Sequence, residues 1–144
     1  MNASTAKTEI YDARTHIMPA FGEACRSFAS GADDPRRFLE RCLEVIAARE
    51  ADIRAFVITD IAAARRAADA ATARYRAGAP LSTIDGMPVG LKDTIETADL
   101  PTQMGSPFFA GNRTGRDAAC VDAMRRGGAV IVGKTTATEF AYGR

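Results

Sequence analysis

The stretch D-A-A-C-V-D-A-M-R-R-G-G-A-V-I-V-G-K-T, residues 117–135, decides the fold class. Asp117 can open a helix through Arg126. The pair Gly127-Gly128 closes it, because glycine reaches helix-ending backbone conformations without steric cost. Ala129-Val130-Ile131-Val132 then forms an unbroken apolar run, the pattern of a strand covered on both faces of its sheet. A helix leading straight into such a strand predicts an α/β architecture.

The same alternation recurs upstream. Asp85-Gly86 signals a turn, and Pro88-Val89-Gly90-Leu91-Lys92 after it predicts a second strand. Ala55-Phe56-Val57-Ile58-Thr59 is a short β-prone run, and Asp60 can cap an alanine-rich helix that ends near Gly78-Ala79-Pro80. Asp34-Pro35 marks another helix start: the carboxylate accepts from orphan N–H groups, and proline at the first helical position forfeits a donor with no partner. Phe38, Leu39, Cys42, Leu43, Val45 and Ile46 share one face of that helix, which is expected to run to about Arg49. The arginines at 65, 66, 74 and 76 read as a solvated face, since Asp69 lies among them and no aromatic residue interleaves.

Composition narrows the function classes. Nineteen Lys and Arg against 18 Asp and Glu leave a charge of +1 over 144 residues, which gives no electrostatic footprint for nucleic acid or an anionic membrane. Hydrophobic content of 47% and charged content of 26% are those of a soluble globular chain, and no apolar run is long enough to span a bilayer. The first twelve residues carry acids and no apolar core, so a cytoplasmic location is expected. Cys25, Cys42 and Cys120 are widely spaced and read as small buried hydrophobes. His16 is the single histidine and reads as a surface residue, so no metal site and no cofactor are expected.

Two motifs carry candidate chemistry. Gly128-Ala129-Val130-Ile131-Val132-Gly133-Lys134-Thr135 satisfies G-x-x-x-x-G-K-[ST], but a phosphate cradle needs the middle residues as a loop with converging N–H groups. Here those residues are the predicted strand, and Lys134 reads as structural, just past its end. In Gly86-Met87-Pro88-Val89-Gly90-Leu91-Lys92-Asp93, Val89 and Leu91 point to one face and Gly90 and Lys92 to the other. Gly90 would clear space beside the lysine for a close approach. A partly desolvated lysine loses proton affinity and becomes a usable base. The plainer alternative is a strand-end lysine that snorkels outward or pairs with Asp93.

The run I-D-G-M-P-V-G-L-K-D-T-I-E-T-A-D-L-P-T-Q-M-G-S, residues 84–106, and A-V-I-V-G-K-T-T-A-T-E-F-A-Y-G, residues 129–143, resemble in order and spacing the motifs around the catalytic lysine of the amidase-signature family. The resemblance extends back to about residue 34. It implies an α/β fold with a mixed β-sheet flanked by helices, and hydrolysis or transfer at an amide C–N bond. In that chemistry a serine nucleophile is deprotonated through a second serine, held in a cis peptide, by a lysine base; Lys92 matches that lysine. The oxyanion hole would be backbone N–H groups of a Gly/Ser-rich loop.

No Gly/Ser-rich run occurs in these 144 residues. Ser106 matches the family's G-S after the lysine strand rather than the nucleophile. Asp99 stands where glycine is usual, a position aspartate can hold because it visits left-handed backbone. The sequence therefore reads as residues 1–33, an N-terminal helical lead, followed by residues 34–144, an incomplete amidase-signature domain. By itself it is expected to be inactive. The expected ligand is a small amide in the complete enzyme, and the expected partner is the missing C-terminal part or a second copy, with no nucleic acid and no membrane. The rival readings are a P-loop-like nucleotide site at Gly128 to Thr135 and a non-catalytic interaction module.

Overall fold

The computed structural model describes residues 20–143; His16 lies outside them. Four helices and three strands follow in the order α1 (Phe21–Ser30), α2 (Pro35–Ile53), β1 (Phe56–Thr59), α3 (Ile61–Arg76), β2 (Pro88–Lys92), α4 (Ala119–Arg126) and β3 (Val130–Thr135). The sheet order is β1-β3-β2. The central β3 runs antiparallel to β1 and parallel to β2, so the sheet is mixed, as expected.

Both predicted caps form. Asp34 accepts from the Arg37 amide and Asp60 from the Ala63 amide, each satisfying a donor at a helix start. The first of these helices continues four residues past Arg49, to Ile53, and ends on Arg54 in left-handed geometry. Its inner face carries Leu39 and Leu43, which pack with Ala64, Ala68, Val130 and Val132 on one side of the sheet. Val45 departs from the expected stripe and is 63% exposed, because 3.6-residue spacing places it at the rim beside Phe38 rather than over Leu39 and Leu43. Leu91, Leu100, Val121 and Ile131 form a second core on the other side, under α4 and the loop after β2.

Two irregularities in the ladders decide which residues face which core. Pairing slips between Phe56 and Ile58 on β1, and those two side chains accordingly join different cores. On β3, Val132 is passed over, since Val89 pairs with Ile131 and Gly90 with Gly133. An extra residue of this kind reverses the facing of everything after it.

Four further expectations are corrected. The α4 helix begins at Ala119 with no side-chain cap; Asp117 instead accepts from the Ala98 amide and pairs with Arg125. Asp99 does not adopt left-handed backbone; its carboxylate also binds Arg125. Cys120 is exposed, and Cys25 and Cys42 are only partly buried. Arg74 is no solvated residue: it holds the fully buried Asp85 through two hydrogen bonds of 2.8 and 2.6 Å.

Candidate active site

Lys92 is the last residue of β2, and its side chain is exposed, with no ion-pair partner among the described residues. The strand forms as anticipated, with Leu91 buried and Gly90 and Lys92 on the opposite face. Gly90 is exposed and lines an apolar cleft beside Phe56 and Val89. A Cβ there would come within 2.9 Å of the Thr135 methyl and 3.4 Å of the Phe56 ring, so a larger residue would press on both side chains.

Asp93 does not pair with Lys92. Its buried carboxylate turns to the other face, where it accepts from the amides of Gln103 at 3.1 Å and Gly105 at 3.3 Å and lies 3.8 Å from Lys134 Nζ. Its own amide donates to the Thr135 carbonyl, and its carbonyl accepts from the Met104 amide. One residue thus ties the loop after β2 back onto the end of β3.

Lys134 lies inside β3, not past its end, and is fully buried. Its ammonium donates to the Pro101 carbonyl at 3.0 Å and to Thr102 Oγ1 at 2.9 Å. Burial pushes its pKa below the ordinary lysine range, against the opposing pull of Asp93 and Asp99. The residues from Val130 to Thr135 are strand throughout, so no loop of converging N–H groups exists there for a phosphate. Among the described residues no three His, Cys, Asp or Glu side chains are grouped to hold a metal ion.

The serines near this region are engaged elsewhere. The buried Ser106 hydroxyl donates to Glu139 Oε1 at 2.7 Å, and Ser82 donates to the Gly127 carbonyl. Around Ser106 the backbone is strained: Met104, Phe140 and Ala141 all have positive φ, and the Phe140 amide donates to the Met104 carbonyl at 2.7 Å. Such strain in bulky residues is held only where surrounding contacts over-determine it.

The profile of the Amidase family matches residues 37–144. The chain belongs to the amidase family. It is 40% identical over 117 residues to a glutamyl-tRNA(Gln) amidotransferase subunit of Chloroflexus aggregans, a match covering 81% of this chain and 24% of that relative. The corresponding protein of Salinispora arenicola is 38% identical over 122 residues, covering 85% and 24%. Among solved structures, the peptide amidase of Stenotrophomonas maltophilia is similar with a TM-score of 0.79 at 27% identity, over 88% of this chain and 26% of that one. This amidase-family chain therefore spans about a quarter of the length of the curated relatives it matches.

Sequence reasoning singled out Lys92 and missed the Asp93, Thr102 and Lys134 cluster behind it. The passed-over Val132 is the reason: strict alternation would put Lys134 on the face of Val130 and Val132, whereas the slip turns it under the 94–106 loop. A lysine directly after an apolar strand and a glycine was the available signal.

Proposed function

We propose that these residues supply the lysine-bearing part of an amide C–N hydrolase of the Ser/cis-Ser/Lys type, with Lys92 as the base. The observation that supports this reading is the contrast between two lysines on adjacent strands. Lys134 is locked by two hydrogen bonds and an acid, while Lys92 ends its strand exposed and with no ion-pair partner among the described residues. A base must be held by its backbone yet keep its nitrogen available to an incoming proton donor.

In this reading Lys92 takes the proton of a bridging serine, which takes that of the nucleophilic serine, and the lysine later returns it to the leaving amine. Both serines and the oxyanion hole come from a Gly/Ser-rich loop that these 144 residues do not contain. The loop would approach the face of Gly90, Lys92 and Thr135 and supply the desolvation that the described residues do not. An apolar cleft beside that face, lined by Phe38, Val45, Phe56, Pro88 and Val89, is where the remaining polypeptide or a second copy would pack. The substrate is a small amide, the location cytoplasmic, and the catalytic unit begins at about residue 34, after the helical lead. Among the described residues no helix is long and apolar enough to cross a membrane.

The test is hydrolysis of aliphatic and aryl amides by the product of the complete gene. Lys92→Ala should lower kcat by roughly 10³-fold, within the range for loss of a general base. An unchanged rate overturns the assignment. The 144-residue chain alone should hydrolyse none of these amides, and turnover by it that Lys92→Ala abolishes would overturn the need for the loop.

A further inference from the structure

We infer that Lys134 is a positioning residue for Lys92, acting through Asp93 and Thr102 to fix the end of β2 and the loop that follows it. The inference rests on the reading of Lys92 as the base.

The geometry runs through consecutive residues on both strands. The Thr135 carbonyl accepts from the Asp93 amide, and the preceding residue, Lys134, places its ammonium 3.8 Å from the Asp93 carboxylate. That carboxylate in turn holds Gln103 and Gly105, and Lys134 reaches the same loop directly at Pro101 and Thr102. Lys92 directly precedes Asp93 and pairs with Thr135 in the ladder, so it adjoins both anchored backbone positions while its own side chain takes no part. The ends of the loop are therefore fastened beneath the sheet while the lysine projects above it.

A structural explanation alone is weak. Burying an ammonium beside a carboxylate gains little over an apolar side chain of similar volume, because desolvation offsets the attraction. What Met or Leu could not reproduce is an ammonium that donates to the Pro101 carbonyl and Thr102 Oγ1 while lying 3.8 Å from the Asp93 carboxylate. The arrangement specifies a geometry, and the group at its centre is the end of β2.

The chain contains three lysines, Lys7, Lys92 and Lys134, so selectively ¹³C-labelled lysine gives signals assignable by single Lys→Arg substitutions. In the 144-residue chain, Lys134→Met and the milder Thr102→Val should each move the Lys92 Cε signal. Thr102→Val should also speed amide exchange at Gln103 and Gly105 at least tenfold, with the amides of α2 and α3 unchanged. Should Lys134→Met fail to fold, Thr102→Val decides, since it removes one hydroxyl, which accepts from Lys134 and donates to the Ile95 carbonyl, and little volume. Uniformly faster exchange across the Thr102→Val chain, or a Lys92 signal that does not respond, overturns the inference. In the complete gene product Thr102→Val should lower kcat and leave KM unchanged; a raised KM with unchanged kcat counts against it. The labelled-lysine result does not depend on turnover, so it separates failure of this inference from failure of Lys92 as the base.

Discussion

Lys134 lies in register with Leu91, the residue before Lys92, so the two lysines leave adjacent strands on opposite faces of the sheet. One is spent on the fold and the other is not. Lys92→Ala should therefore change stability by no more than about 0.5 kcal/mol, as for an exposed residue with no ion-pair partner among the described residues. Lys134→Ala removes two hydrogen bonds, empties a buried volume and strips Asp93 of its cation, and should cost about 3–4 kcal/mol. Urea unfolding of the two variants beside the parent checks both. Equal losses would contradict the division of labour.

The turn that delivers the chain into β2 depends on a second buried acid. Asp85 accepts from Arg74 twice and from the Leu81 amide, and it packs so closely on Gly128 that a Cβ there would sit 2.2 Å from Oδ1. Arg74→Met keeps most of the stem but leaves the carboxylate buried without a cation. Arg74 is about a quarter exposed, which permits some water to enter, so the expected loss is about 2–3 kcal/mol, at the low end for a broken buried pair. Asp85→Asn keeps acceptor capacity and should cost less. The unfolding midpoints of the two variants rank them.

These cases show where the sequence was legible. The helix starts at Asp34 and Asp60, the strand at Pro88–Lys92 and the apolar β3 follow from local rules of capping, turns and patterning, and those elements form where expected. Long-range partners were not legible. Arg74 shares a helix with Arg66 and Arg76 and has the same local spacing, but it alone faces Asp85, eleven residues on across a loop. Likewise Val45 has the composition of the buried stripe yet lies at its rim. The facing of Lys134 turns on a single passed-over residue that no two-residue period can reveal. The position of Lys92 at the end of β2 was legible because its strand and alternation are local.

Acid should weaken the contact between α2 and α3. Glu40 takes two hydrogen bonds from Arg65 and one from Arg36, and these hold its carboxyl at about 2 against an ordinary 4.5. The folded state thus binds fewer protons than the unfolded chain between those values. The stabilisation is complete above about pH 4.5 and is lost as pH falls through about 2. Asp33 beside Arg41 and Glu96 beside Arg116 are lowered in the same direction. The urea midpoint should fall on going from about pH 5 to about pH 3, less steeply in Glu40→Gln. Because the Glu40 pair is exposed, the difference should shrink in about 0.5 M salt.

Glycine substitutions offer a test with opposite signs. Gly133 pairs with Thr59 at the point where β3 has just slipped past Val132, and a Cβ there would lie 2.2 Å from the Ile58 carbonyl oxygen and 2.9 Å from Thr59 Cα. Both neighbours are backbone, so no rotamer change can relieve the clash; β1 must move, and with it the cap at Asp60, whose amide donates to the Val132 carbonyl. Gly133→Ala should destabilise by at least about 2 kcal/mol, in the range of overpacked interiors. Gly22 sits in α1, where among the described residues only the Arg26 guanidinium would lie within 4 Å of an added Cβ, and Gly22→Ala should stabilise by about 0.5 kcal/mol through helix propensity. Paired urea titrations read both. A neutral Gly133→Ala would mean that β1 is not held against β3 in this register, and the facing assigned to Lys134 would lose its support.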